Sequence, residues 1–186
     1  MRIFKFLSII VLVLGLSSCS VLINGSPCGE EYEPIPGYQN AGQKMVGIYY
    51  DADKTATAMD MFYENWTDDL GDYEAAERVL SNTCVEWEPY PWVLESLGTD
   101  EDGVPRRASG LTESRRDIRV WIGPESDEFD RAIWRTAFWH EIVHLMLWDL
   151  YNEPDPDHEE DAYVAWEPEH TQVIRDCKIE AQPLGV

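Results

Sequence analysis

One helical segment constrains the fold of this chain more than any other part of the sequence. Residues 137–146, AFWHEIVHLM, carry no ionisable side chain apart from His140, Glu141 and His144. An apolar run of this length and spacing is typical of a helix packed into a core. Pro154 prevents the helix from continuing much further. We therefore predict a long core helix that begins after a cap at Ser126 or Asp127 and carries three polar side chains.

The three polar side chains of this helix have the spacing of a metal site. His140 and His144 lie four residues apart, so their rings project from the same face one turn apart. Both Nε2 atoms can then meet one tetrahedral Zn²⁺ at about 2.0–2.1 Å. Glu141 is turned by about 100° from His140, which suits a general base for a metal-bound water rather than a ligand. The sequence predicts a zinc site with two histidine ligands and Glu141 as the base.

The His-Glu-x-x-His pattern resembles the signature of the zincin metallopeptidases. The flanking residues are uncharged, as in the extended zincin pattern, and the strand-like segment 117–123, DIRVWIG, precedes the helix where zincins place an edge strand that pairs with a bound peptide. Metzincins require Gly and His where this chain has Leu147 and Leu150, so the resemblance excludes that branch. It implies zinc-dependent peptide-bond hydrolysis in a small α+β zincin-like domain, with a short twisted sheet, an active-site helix and backing helices.

A third metal ligand is expected after the helix. The turn NEPDPDH offers His158, and the thirteen residues between His144 and His158 are enough for the chain to return to the metal. The competing candidates are Glu159, Glu160, Asp161, Glu167 and His170. A transition-state oxyanion also needs a hydrogen-bond donor, for which Tyr151 and Tyr163 are the candidates nearest in sequence.

The first residues of the chain predict export and anchoring. Arg2 and Lys5 precede a short apolar run, and the sequence LSSC ending at Cys19 resembles a bacterial lipobox. We predict a lipoprotein signal peptide at 1–18, lipidation of Cys19 and, because Ser20 follows, sorting to the outer membrane. Plain secretion with cleavage near Ser18 is the alternative. Residues 19–43, rich in Gly, Pro and Ser, are predicted to be a lipid-anchored tether, and residues 44–186 to be the catalytic domain.

Charge and cysteine content narrow the partners and the covalent structure. The formal net charge of −22 argues against nucleic acid and anionic lipid surfaces as partners. The zincin resemblance implies a peptide or protein substrate, and the lipobox resemblance implies a membrane contact through the lipid. In an oxidising compartment the three remaining thiols allow one disulfide. We favour Cys84–Cys177, since Cys28 falls in the predicted tether, with the other pairings left open.

The remaining sequence predicts short elements around the long helix. The polar segment 98–117 is predicted to be a long loop. A helix that begins near residue 53 is expected to stop at Gly71. Strands are predicted at 44–51, 83–90 and 117–124, and helices at 53–70, 73–82 and 168–181.

Two other function classes fit the same motif. One is a non-catalytic lipoprotein of the envelope that holds zinc while binding or assembling other components. The other is an amide hydrolase that acts on peptidoglycan. A covered zinc site would favour the first alternative, and a broad aromatic trough would favour the second.

Overall fold

The chain folds as an α+β protein, as predicted. The computed structural model describes residues 27–45, 51–88, 92–93, 103, 107–108, 110–121, 136–152 and 168–184. Within these ranges there are a five-stranded mixed sheet, a two-stranded sheet and four α-helices. The predicted signal peptide with Cys19, and the site candidates His158 and Tyr163, lie outside the described residues.

The elements follow one another in a mixed order along the chain. The strands are β1 (Glu33–Pro34), β2 (Gly42–Met45), β3 (Cys84–Glu88), β4 (Trp92–Val93), β5 (Arg107–Ala108), β6 (Gly110–Thr112) and β7 (Asp117–Trp121). The helices are α1 (Ala52–Leu70), α2 (Tyr73–Leu80), α3 (Thr136–Tyr151) and α4 (Pro168–Ala181), followed by a 3₁₀ turn at Gln182–Leu184. The predicted helices in α1, α2 and α4 are confirmed, and so are the strands that became β3 and β7.

The five-stranded sheet has the order β1-β2-β3-β7-β6. Strands β2, β3 and β7 are parallel, while β1 and β6 pair antiparallel at the two ends. The prediction that β7 is the edge strand is wrong, because β7 pairs with both β3 and β6. The predicted loop at 98–117 is wrong in part, since it contains β5 and β6. A tight turn returns β6 onto β7, in which the Glu113 N–H donates to the Asp117 carbonyl over 2.8 Å.

Local capping and apolar periodicity explain α1. The Asp51 carboxylate accepts hydrogen bonds from the N–H groups of Asp53 and Lys54 at 3.0 and 3.3 Å, which caps the first turn. Gly71 ends the helix in the left-handed conformation, with φ 77°, where glycine is favoured. The buried face of the helix carries Ala58, Met59, Phe62 and Trp66.

Helix α3 is held in the core by contacts with strand β3 and helix α1, among others. The side chains of Phe138 and Trp139 are fully buried. Phe138 packs on Trp87 of β3 with ring centroids 5.3 Å apart, and the Trp139 indole N–H donates to the Ala58 carbonyl of α1 over 3.0 Å. These contacts fix the rotation of α3 about its axis, which determines where its polar side chains point. Of the helices in the described ranges, none has the length and hydropathy that a bilayer crossing demands.

The segment predicted to be a tether is folded from Pro27 onward, which corrects the domain boundary at residue 44. Strand β1 pairs with β2, and Ile35 and Ala41 are each only 2% exposed. The predicted disulfide Cys84–Cys177 is also wrong, because Cys84 is bonded to Cys28 and Cys177 is a free, buried thiol. The Gly- and Pro-rich composition of this segment belongs to tight turns rather than to a linker.

Candidate functional site

The two histidines of α3 converge on one point. The Nε2 atoms of His140 and His144 are 3.1 Å apart, and the ring planes stand at 75° to each other. Two nitrogen ligands at about 2.0–2.1 Å from one tetrahedral ion are about 3.3 Å apart. The pair therefore fits a shared metal ion with only small adjustment. His144 is buried, at 6% exposed, and His140 is partly exposed.

Glu141 lies against the inner face of β6. Its side chain is 5% exposed, and the Thr112 hydroxyl donates to its Oε2 over 2.9 Å. A Cβ at Gly110 would lie 2.4 Å from Glu141 Oε1, so only glycine leaves room for the carboxyl in this position. Gly110 and Thr112 are two residues apart and share one face of the strand. The end of the sheet thus forms one wall of the pocket that holds the carboxyl.

The pKa of Glu141 is strongly perturbed. Burial raises it to about 8, and the hydrogen bond from Thr112 opposes part of this effect. In the metal-free protein the carboxyl is therefore largely protonated at neutral pH. The Thr112 hydroxyl is also 3.2 Å from the Glu141 carbonyl oxygen. It can donate to the carboxylate, or accept from the carboxylic acid while donating to the carbonyl.

Within the described ranges, no candidate for a third ligand joins the histidine pair. In those ranges no further His, Cys, Asp or Glu joins the histidine pair in a metal-holding group. His170 is described, and it lies on α4, where its ring stacks on Trp66 of α1 with centroids 5.5 Å apart. His170 thus belongs to the packing of α1 on α4. His158, the first choice, and the other four candidates, Glu159, Glu160, Asp161 and Glu167, lie outside the described residues.

Of the two candidate oxyanion donors, only Tyr151 lies in the described residues. Tyr151 is the last residue of α3 and is 66% exposed. Tyr163 lies outside the described residues. Tyr151 is therefore available to a ligand at the carboxyl end of the helix that carries the histidines, and its role as a donor stays a prediction.

The sequence did not indicate that Gly110 and Thr112 belong to the site. Both belong to a three-residue strand in a polar segment, too short to show a period of two. The one available indication was the sequence GLT itself, in which a glycine and a β-branched residue alternate with an apolar one. Such a triplet is common in loops. Only the pairing with β7 turns both residues toward α3.

Comparisons with protein-family models, with curated proteins and with solved structures found no match for this chain.

Proposed function

We propose that this protein is a zinc-dependent peptidase of the cell envelope, anchored by lipid at Cys19. His140, His144 and His158 hold the metal, and Glu141 is the general base. The proposal is carried by the convergence of the two Nε2 atoms to 3.1 Å beside a buried carboxyl. An ionisable group with a strongly shifted pKa next to possible metal ligands is typical of a catalytic site.

The chemical role of each of these side chains follows from its position. A zinc ion, when bound, supplies a Lewis acid that polarises a carbonyl and lowers the pKa of water. The histidines donate neutral nitrogen ligands from one helix face. Glu141 accepts a proton and can return it to the leaving amine. Its burial excludes bulk water from the carboxyl, which strengthens its interactions with charge that develops nearby.

The end of the sheet supports a peptide substrate. In the described part of the chain β6 is the last strand of the sheet, next to Glu141. An extended peptide can add to such a strand through main-chain hydrogen bonds, which would bring its carbonyl groups close to the base. Trp139, by contrast, is fully buried in the core and cannot serve an aromatic trough for glycans.

Metal content by elemental analysis is the first test, on the full chain purified without a histidine tag. We expect one zinc per chain in the unmutated protein and in Glu141→Gln. Zinc binding should be weaker in His144→Ala and His158→Ala. His170→Gln is the matched control, because it removes a buried histidine outside the site. A screen of unfolded proteins and peptides should then give hydrolysis that a chelator abolishes. Absence of zinc after reconstitution would overturn the proposal.

The second candidate is a zinc-holding protein without catalytic activity. The low exposure of His144 and Glu141, 6% and 5%, favours it, since a covered site admits substrate poorly. One zinc per chain together with no cleavage of proteins, peptides or peptidoglycan would support this candidate. Cleavage of peptidoglycan alone would support the cell-wall hydrolase instead.

A further inference from the structure

We propose that Thr112 and Gly110 of β6 are positioning residues that hold the carboxyl of Glu141 against the end of the sheet. Their effect on catalysis rests on the proposed function, whereas the contact itself can be tested without it. Neither residue belongs to the His-Glu-x-x-His motif. They come from a different element, so the strand and the helix must come together before the base is in place.

Thr112 contacts both the side chain and the main chain of Glu141. Its hydroxyl lies 2.9 Å from Oε2 and 3.2 Å from the carbonyl oxygen. A hydroxyl that contacts both oxygens fixes the direction of the carboxyl relative to the helix axis. Because Glu141 is only 5% exposed, water cannot easily replace this partner. Removal of the hydroxyl therefore leaves a buried polar group with one fewer hydrogen bond.

Gly110 provides the space that the carboxyl occupies. A Cβ at this position would lie 2.4, 2.6 and 2.7 Å from Oε1, Cγ and Cδ of Glu141. Three atoms of the same side chain would clash, so an alanine requires the whole carboxyl to move. Gly110 pairs with Val120 of β7, which opposes a shift of the strand that would relieve the contact. We expect Gly110→Ala to displace Glu141 while the sheet is retained.

The contact is tested first in the metal-free protein by thermal unfolding. Thr112→Val should lower the unfolding temperature by about 4 °C or more. In a Glu141→Leu background, or in Glu141→Met if that variant does not fold, the same substitution should have less than half this effect. Thr57→Val, which removes an exposed hydroxyl of α1, is the matched control. It should change the unfolding temperature equally in both backgrounds. Equal shifts for Thr112→Val in the two backgrounds would overturn the proposal.

The catalytic consequence is tested in the zinc-loaded protein. Thr112→Val should lower kcat by about 10- to 100-fold with KM within about twofold and zinc content unchanged, and Thr112→Ser should restore kcat to within about threefold of the unmutated value. Gly110→Ala should also lower kcat without loss of zinc. A serine variant no better than the valine variant would contradict positioning by the hydroxyl. If the unmutated protein binds no zinc or cleaves nothing, the proposed function fails, and the unfolding comparison still decides whether Thr112 holds Glu141.

Discussion

Glu141 has an environment that few glutamates have. Glutamate is almost never fully buried without a partner, because transfer of its charge from water is costly. Here the described hydrogen-bonding partner of the carboxyl is a neutral hydroxyl, and burial raises the pKa to about 8. A core helix that needed only packing would gain stability from an apolar residue at this position. Under the proposed function the carboxyl serves as the base, and its burial leads to two predictions.

The first concerns the role of the carboxyl as a base. Glu141→Gln keeps the volume and the ability to accept from Thr112 but removes the ability to take up a proton. We expect peptide hydrolysis to fall by about 10²- to 10⁴-fold while zinc content stays at one per chain. Steady-state kinetics and elemental analysis on the same preparation check both parts. Substantial activity in the glutamine variant would exclude Glu141 as the general base.

The second concerns the pH dependence of stability in the metal-free protein. The pKa of Glu141 rises from 4.5 to about 8 on folding, so between these values the folded state binds more protons than the unfolded state. Glu141 therefore makes the free energy of unfolding decrease as pH rises from about 4.5 to 8. Denaturant unfolding of the unmutated protein and of Glu141→Gln, with chelator present, should show a difference that grows in this direction. A difference independent of pH would mean that the carboxyl is solvated.

At the scale of the elements, the sequence predicts those helices and strands whose bounds depend on local interactions. The bounds of α1 follow from Asp51 and Gly71, and α4 starts on Pro168. The spacing of the histidines is likewise a property of one helix. Strands β1 and β6 have only two and three residues. They form because they pair with β2 and β7. Thr112 could not be assigned to the site for the same reason, since its position depends on the pairing with β7.

The disulfide is the clearest case of a contact determined by tertiary structure. Cys28 and Cys84 are 56 residues apart in sequence, and their bond ties the first described residues to β3. Closure of a loop of this size stabilises a protein by about 2–4 kcal/mol. Dithiothreitol should therefore lower the free energy of unfolding by about that amount, and it should have little effect on a Cys28→Ser/Cys84→Ser variant.

Cys177 provides the control for this assignment. The free thiol is buried, which raises its pKa, and Asn65 Nδ2 lies 3.7 Å from its sulfur. Cys177→Ala should keep the full response to dithiothreitol, because Cys177 forms no disulfide in this fold. Loss of the response in Cys177→Ala would instead support the Cys84–Cys177 pairing.

At the scale of the whole molecule, attractive and repulsive charges compete. The carboxylate of Glu86 pairs with Lys44 at 3.1 Å and with Arg119 at 3.5 Å across β2, β3 and β7. The formal net charge of −22 produces repulsion that opposes the effect of these ion pairs. The pKa of Asp69 is raised by partial burial, and then by the negative charges of Asp176 and Asp68, which places repulsion between α1 and α4. Pairs at the surface contribute little individually, so we expect repulsion to dominate.

This balance predicts that salt stabilises the protein. Between about 0.02 and 0.5 M NaCl the Debye length falls from about 20 to about 4 Å, which screens the long-range repulsion more than it screens pairs in contact. The unfolding temperature of the metal-free protein should therefore rise by several degrees, with chelator present so that metal binding does not contribute. In Asp176→Asn the rise should be smaller, because part of the repulsion on Asp69 is already removed. Asp53 is an exposed acid at the other end of α1, so the control variant Asp53→Asn should behave more like the unmutated protein. A fall in unfolding temperature with salt would show that the ion pairs around Glu86 outweigh the net charge.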